Sequence, residues 1–167
     1  CSGFKGKVVL HWHSDILKQK TLLKFYKPLQ SWLLKRADII VGTTPVYVKE
    51  SPFLQDCQHK ITHLPIGIVP MPEAQKEAEE LRRQYPGKKI VFSLGRLVPY
   101  KGFCYLVEAA KLLGEEYVVL IGGTGPLRDE LQKQIRETGL ESRVKLLGFV
   151  PDEDLPKYFC ACDLFCL

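Results

Sequence analysis

The sequence predicts an α/β fold built on mostly parallel sheets, and three observations carry that prediction. Short apolar runs alternate with helix-patterned segments from one end to the other, as repeated βαβ units do. The apolar runs are continuous in Val, Ile and Leu, which implies strands buried on both faces. One stretch, 65–72 (PIGIVPMP), breaks the alternation with three prolines and a glycine and reads as a linker between two α/β pieces.

Before the linker, strands are expected at 7–12 (KVVLHW), 38–42 (DIIVG) and 60–64 (KITHL). Between the first two lies 16–36, where Lys18, Lys20, Lys24, Lys27, Lys35 and Arg36 alternate with Leu17, Leu22, Leu23, Phe25, Leu29, Trp32, Leu33 and Leu34. No acid dilutes them, and Pro28 is expected to split the segment into two short helices or to kink one. A basic amphipathic surface with aromatics suits anionic lipid, and a core-packed helix with a solvated basic face explains the pattern equally well.

After the linker, strands are expected at 89–94 (KIVFSL), 117–121 (YVVLI), 144–148 (VKLLG) and 163–167 (DLFCL). A helix over 73–85 places Glu73, Glu77, Glu79 and Glu80 early and Arg82 and Arg83 late, as the helix dipole prefers. A second, 103–113, presents Phe103, Leu106, Val107, Ala110 and Leu113 as one stripe. A third is expected to be capped by Thr124, opened by Pro126 and closed by Gly139, with Leu127, Leu131 and Ile135 on one face.

A chain of 167 residues that is 46% hydrophobic can build a sizeable core. Its net charge of +5 suits anionic ligands or surfaces without calling for nucleic acid, and none is expected as a partner. No apolar run is long enough to span a membrane, and the start CSGFKGKVVLHW lacks the pattern of a signal peptide. A soluble or peripheral protein is expected. The six cysteines, at 1, 57, 104, 160, 162 and 166, form no CxxC pair, so neither a disulfide scaffold nor a zinc ribbon has its spacing. Buried small hydrophobes in a reducing compartment are the expected role, with Cys160 and Cys162 ending a helix and Cys166 in a strand.

In open parallel sheets ligands bind outside the carboxyl ends of the strands, and four loops fall there. GRLVPYKGF places Gly95, Arg96, Lys101 and Gly102 between a strand and a helix. GGTGPL (122–127) offers a backbone free to approach a ligand, beside a helix N-terminus. GFVPDEDL follows Leu147, and HWHSD (11–15) ends the first strand. The planar fork of Arg96 and the point charge of Lys101 suit a diphosphate held in one shared pocket, and two ordinary cations on a solvated loop fit the same residues. GGTG without a Walker lysine does not decide between them.

His11 and His13 could share a strand face, but no carboxylate or cysteine set completes a metal site, and Asp15 is expected as a helix cap. His13 instead suits hydrogen bonding to a polar ligand as a neutral imidazole. Ser14 has no triad partners and no nucleophile elbow.

Taken in order, HWHSD, PIGI, GRLVPYKG, IGGTGPLRDEL and LLGFVPDEDL closely resemble the family 4 retaining glycosyltransferases of GT-B fold, over nearly the whole chain. The resemblance implies two incomplete Rossmann-like lobes facing across a cleft. Residues 1–69 would be the C-terminal part of the first, acceptor-side lobe, and 70–167 the N-terminal part of the second, which holds the nucleotide-sugar donor. Arg96 and Lys101 match the basic pair on the donor diphosphate, and Gly122, Gly123, Gly125 and Pro126 match the loop beside the nucleotide. Phe149 with Val150 match the segment lining the base pocket, and His13 matches the histidine that looks toward the donor sugar. Gly95 opens the basic loop, and His13, Arg96 and Lys101 form the implied catalytic set.

Two departures stand out. PIGI lacks the asparagine that often precedes glycine in the family, and the paired-glutamate motif and first-lobe glycine-rich loop lie outside these residues. The excerpt is therefore expected to be inactive alone. The implied parent transfers a sugar from a nucleotide-diphosphate donor to a glycan or lipid-linked acceptor with retention, as in bacterial polysaccharide synthesis. No cofactor and no metal are expected, since two cations can neutralise the leaving group. The expected location is the cytoplasm, with peripheral contact on the inner face of the cytoplasmic membrane through 16–36. A non-catalytic nucleotide-binding module and a sugar-nucleotide epimerase of similar fold are the competing readings.

Overall fold

The computed structural model describes residues 3–15 and 20–167, with side chains of its first helix from Lys24 onward. Leu17 and Lys18, and the side chains of Lys20, Leu22 and Leu23, therefore lie outside the described residues. The chain divides into two compact units, Cys1–Val69 and Pro70–Leu167.

The first unit runs β1 (Val9–Trp12), α1 (Lys20–Arg36), β2 (Ile39–Gly42), α2 (Pro45–Glu50), a 3-10 turn (Gln55–Lys60) and β3 (Ile61–His63). The three strands are parallel in the order β1-β2-β3, with Trp12 opposite Gly42 and Gly42 opposite His63. Leu34, Ala37, Ile40, Val48 and Leu54 form the buried core, against which Leu10 and Trp12 pack. Burial on both strand faces does not hold in this unit. Val9 and Ile39 are exposed, because alternate residues of β1 and β2 point away from the helices and no described element covers them. Nor does Pro28 divide the basic segment: α1 continues through it as one 17-residue helix, at the cost of one backbone bond. Thr44 caps α2 by accepting the Tyr47 N–H at 3.3 Å, and Pro45 supplies a preset φ at the first position.

The second unit runs α3 (Gln75–Arg83), β4 (Lys89–Leu94), a 3-10 turn (Pro99–Lys101), α4 (Phe103–Ala110), β5 (Tyr117–Gly122), α5 (Arg128–Glu137), β6 (Val144–Gly148), α6 (Leu155–Ala161) and β7 (Leu164–Phe165). All pairings are parallel, in the order β6-β5-β4-β7. The continuous apolar runs of β4 and β5 are the two buried on both faces. Val91 and Val119 pack toward α4 and α5, while Ile90, Phe92 and Val118 pack toward α3 and α6. The chain moves outward from β4 to β6 and then returns to β4's other side as β7. That reversal makes the carboxyl end of β4 the topological switch point, where open α/β sheets leave a crevice between diverging loops.

Helix ends differ from expectation in instructive ways. α5 begins at Arg128, and neither Thr124 nor Pro126 opens it, because residues 124–127 are held by the neighbouring loop described below. Its other end closes as expected. Gly139 at φ 68° lets Leu140 and Gly139 donate to the carbonyls of Ile135 and Arg136, both at 3.0 Å. α4 stops at Ala110, after which the Lys111 and Leu112 N–H groups bond three residues back and tighten the turn. α3 is shorter than expected at both ends. β7 is short because only Leu164 and Phe165 find register on Val91 and Phe92. Cys57 is buried as expected, whereas Cys160 is exposed on the outer side of α6.

One device recurs in both units. Asp38, just ahead of β2, accepts the Val8 N–H at 2.8 Å and donates its own N–H to the Val8 carbonyl at 2.8 Å. Asp163, just ahead of β7, does the same with Ile90, at 2.7 and 2.8 Å. Each carboxylate also meets an arginine, Arg36 at 3.4 Å and Arg82 at 3.0 Å. The Val8 N–H, then Lys7, hold Asp38's pKa down to about 2, and the Ile90 N–H lowers that of Asp163. A charged side chain thus sets the register of a crossover strand in ADII and again in CDLF.

Candidate functional site

The loop leaving β4 is stitched to the loop leaving β5. Gly95 N–H donates to the Gly122 carbonyl at 3.1 Å, Leu97 N–H to Thr124 at 2.9 Å, and Leu127 N–H back to Leu97 at 3.1 Å. The Gly123 N–H continues the stitching to the Gly148 carbonyl at 2.7 Å, which ties in the loop after β6. Leu97 is buried in the core beneath, so Arg96 stands between two anchored residues with its side chain outward. Gly95, Arg96, Gly123, Thr124, Gly125 and Phe149 surround an open cavity of ≈ 440 Å³, with Val150 buried at its base.

Lys101 lines a different, adjoining cavity of ≈ 260 Å³, with Ser93, Tyr105 and Leu106. The expectation of one shared pocket is corrected accordingly. The 3-10 turn at Pro99–Lys101, followed by Gly102 at φ 72°, carries the chain around the far side of Gly95 before α4 begins. Gly95 of the first cavity lies close to the second: a Cβ there would be 3.3 Å from Phe103, which lines the second, and 4.0 Å from Lys101 Cδ. Among the described residues, neither Arg96 nor Lys101 forms an ion pair. Two exposed, uncompensated cations therefore flank the switch point, an arrangement that an anion between them would relieve.

The glycines of the second loop serve backbone packing. A Cβ on Gly123 would overlap the Gly95 carbonyl oxygen, and one on Gly125 would overlap that of Leu97. Both residues have positive φ, 128° and 158°. Gly122 is buried beneath, and its Cβ would sit 2.9 Å from Val150 and 3.0 Å from Leu94. Pro126 lies in the turn beyond and does not line the cavity. The α5 end is a poor anion seat, because the Leu127 and Arg128 amides are already bonded and Asp129 and Glu130 occupy its first turn. α4 differs: Gly102 provides no side-chain cap and the first turn holds no acid. Phe149, at the cavity rim, is 73% exposed.

In the first unit, His13 follows the end of β1 and is exposed, with its ring 6.0 Å from that of His11 in an edge-on arrangement. Asp15 is expected as a helix cap, and the residues it would cap, 16–19, lie outside the described residues. Its Oδ1 accepts from Trp12 Nε1 at 2.8 Å, Tyr47 OH at 3.0 Å and Ser51 Oγ at 2.9 Å. Burial, then the bond to Asp15, raises the Tyr47 pKa and keeps that hydroxyl a donor. Sequence reading missed this hub, in which Asp15 and Ser51 are 36 residues apart along the chain. The capped turn TTPVY was its one visible signal. Among the described residues, no three His, Cys, Asp or Glu side chains are grouped to hold a metal, and no helix is long and apolar enough to cross a membrane.

Comparison with known proteins places these features in a family. Residues 75–167 match the family model described as glycosyl transferases group 1. The chain is 35% identical over 159 residues to the O-antigen chain mannosyltransferase C of Escherichia coli, covering 94% of this chain and 42% of that protein. It is 36% identical over 157 residues to the D-rhamnosyltransferase WbpZ of Pseudomonas aeruginosa, covering 92% of this chain and 40% of that one. The crystal structure of Anabaena Alr3699/HepE in complex with UDP superposes with a TM-score of 0.77 at 25% identity, over 95% of this chain and 46% of that one. The chain thus spans about two fifths of the length of the curated relatives it matches.

Proposed function

The chain belongs to the group 1 glycosyl transferases, and we propose that the full-length protein transfers a sugar from a nucleotide-diphosphate donor to a glycan or lipid-linked acceptor with retention of configuration. The observation that carries this reading is the pair of uncompensated cations, Arg96 and Lys101, on either side of Gly95 at the switch point of a parallel sheet. Cleaving the anomeric bond builds negative charge on the leaving diphosphate, and cations already in place stabilise it without reorganising. We assign the neutralisation to these two side chains and give no metal or cofactor a role. Residues 70–167 are proposed as part of the donor lobe and 1–69 as part of the acceptor-side lobe, both Rossmann-like.

Phe149 and Val150 are proposed to receive the base, with the 122–126 loop beside the nucleotide, and His13 to face the donor sugar. UDP in the Anabaena relative supports a nucleoside diphosphate as the ligand class. The 167 residues alone are proposed to lack turnover. A donor screen on the full-length protein, with the anomer of the product determined, tests the reading. Transfer with retention is expected. Nucleotide binding without turnover in any donor would favour a binding module, and free sugar released without an acceptor would favour an epimerase.

We propose that the acceptor side works against an anionic membrane. α1 contains no acid, its exposed Phe25, Leu29 and Trp32 lie at i, i+4 and i+7, and Lys24, Lys27 and Lys35 are exposed on the same helix. The opposite face, Gln30 and Leu34, is buried. At roughly 1 kcal/mol per cation, replacing the three lysines by glutamine is expected to weaken binding to anionic vesicles about 10²-fold. Co-sedimentation that is equal on neutral and anionic vesicles would remove this proposal.

A further inference from the structure

We infer that Asp15 is the positioning residue for His13, an inference that rests on the donor-facing reading of that histidine. Three donors from three places converge on one carboxylate oxygen: the indole of Trp12 at the end of β1, the Tyr47 hydroxyl on α2, and the Ser51 hydroxyl that follows α2. Ser51 is 2% exposed, and its own N–H bonds to the Tyr47 carbonyl at 3.0 Å, so the anchor is built into the α2 end. The Trp12–Asp15 bond spans three residues and closes the turn, leaving His13 and Ser14 exposed on it.

The histidine itself has an aromatic neighbour in His11 and no hydrogen bond among the described residues, so its direction is set by the backbone on either side. That backbone is held by charge-assisted bonds to Asp15, which are stronger than neutral ones. Removing the carboxylate also leaves the buried Ser51 hydroxyl without its acceptor, which favours rearrangement of the turn. A shift of about 1 Å in a group aimed at a reacting substrate costs on the order of 10²-fold in rate.

The test is a double-mutant cycle in the full-length protein, reading kcat, donor KM and thermal melting for His13→Ala, Asp15→Ala and the double variant. Asp15→Ala is expected to lower kcat about 10²-fold with little change in donor KM, and to cost nothing further in the His13→Ala background. Asp15→Asn, whose amide oxygen can accept the same three bonds, is expected to restore most of the rate. Losses that multiply in the double variant overturn the inference while leaving the sugar-transfer reading intact. A silent His13→Ala overturns it too, by removing the group through which Asp15 acts. Should Asp15→Ala fail to fold, Tyr47→Phe and Ser51→Ala each delete one donor and carry the same cycle.

Discussion

Gly123→Ala is expected to destabilise the 70–167 unit by roughly 2–4 kcal/mol, the sum of backbone strain and overpacking. The new methyl group would meet the Gly95 carbonyl oxygen, which belongs to the backbone and cannot rotate aside. Relief requires the two loops to separate, and with them go the Gly95–Gly122 and Leu97–Thr124 bonds that hold Arg96 in place. Gly139 supplies the control. It also has positive φ, 68°, but open space lies where its Cβ would be. Gly139→Ala therefore costs only the conformational strain, about 1 kcal/mol. Denaturation midpoints of the two variants separate close packing from backbone strain, and equal losses would show that the loop contact contributes nothing.

Arg96→Ala and Lys101→Ala should do the reverse, sparing the fold and removing the chemistry. Both side chains are exposed and form no ion pair among the described residues, so stability is expected to change by no more than about 0.5 kcal/mol. Loss of one preorganised charge at a developing anion costs about 10²–10³ in kcat. A lysine in place of Arg96 keeps the charge but loses the planar fork, so Arg96→Lys is expected to recover only part of the rate. Each cation lines its own cavity, so the two are predicted to contact different oxygens of one diphosphate rather than to duplicate each other. Rates of sugar transfer by the full-length variants, set beside their melting curves, check this division.

Much of this was legible in the sequence, because burial and loop chemistry leave local marks. The uninterrupted apolar runs of β4 and β5 announced strands covered on both sides, and Gly139 announced the end of α5. The basic pair could be located on a strand's carboxyl edge from 93–102 alone. Strand order could not, since the return of β7 to β4 depends on Asp163 meeting the Ile90 backbone, a pairing 73 residues apart. For the same reason the glycines at 122–125 were read as room for a ligand. Gly123 and Gly125 also make room for the Gly95 and Leu97 backbone, which no local pattern reveals. Asp15 looked like a helix cap because Asp before a helical run usually is one. The bonds its Oδ1 accepts from the Trp12 indole and the Tyr47 and Ser51 hydroxyls reach across up to 36 residues of chain and leave no local mark.

The most direct measurement is calorimetric titration of a nucleoside diphosphate into the full-length protein, its Arg96→Ala and Lys101→Ala variants, and the double variant. The account predicts saturable binding that weakens in each single variant, weakens further in the double, and fades as salt is raised. Binding that is unchanged in the double variant would contradict it, because the anion would then sit somewhere other than at the β4 switch point.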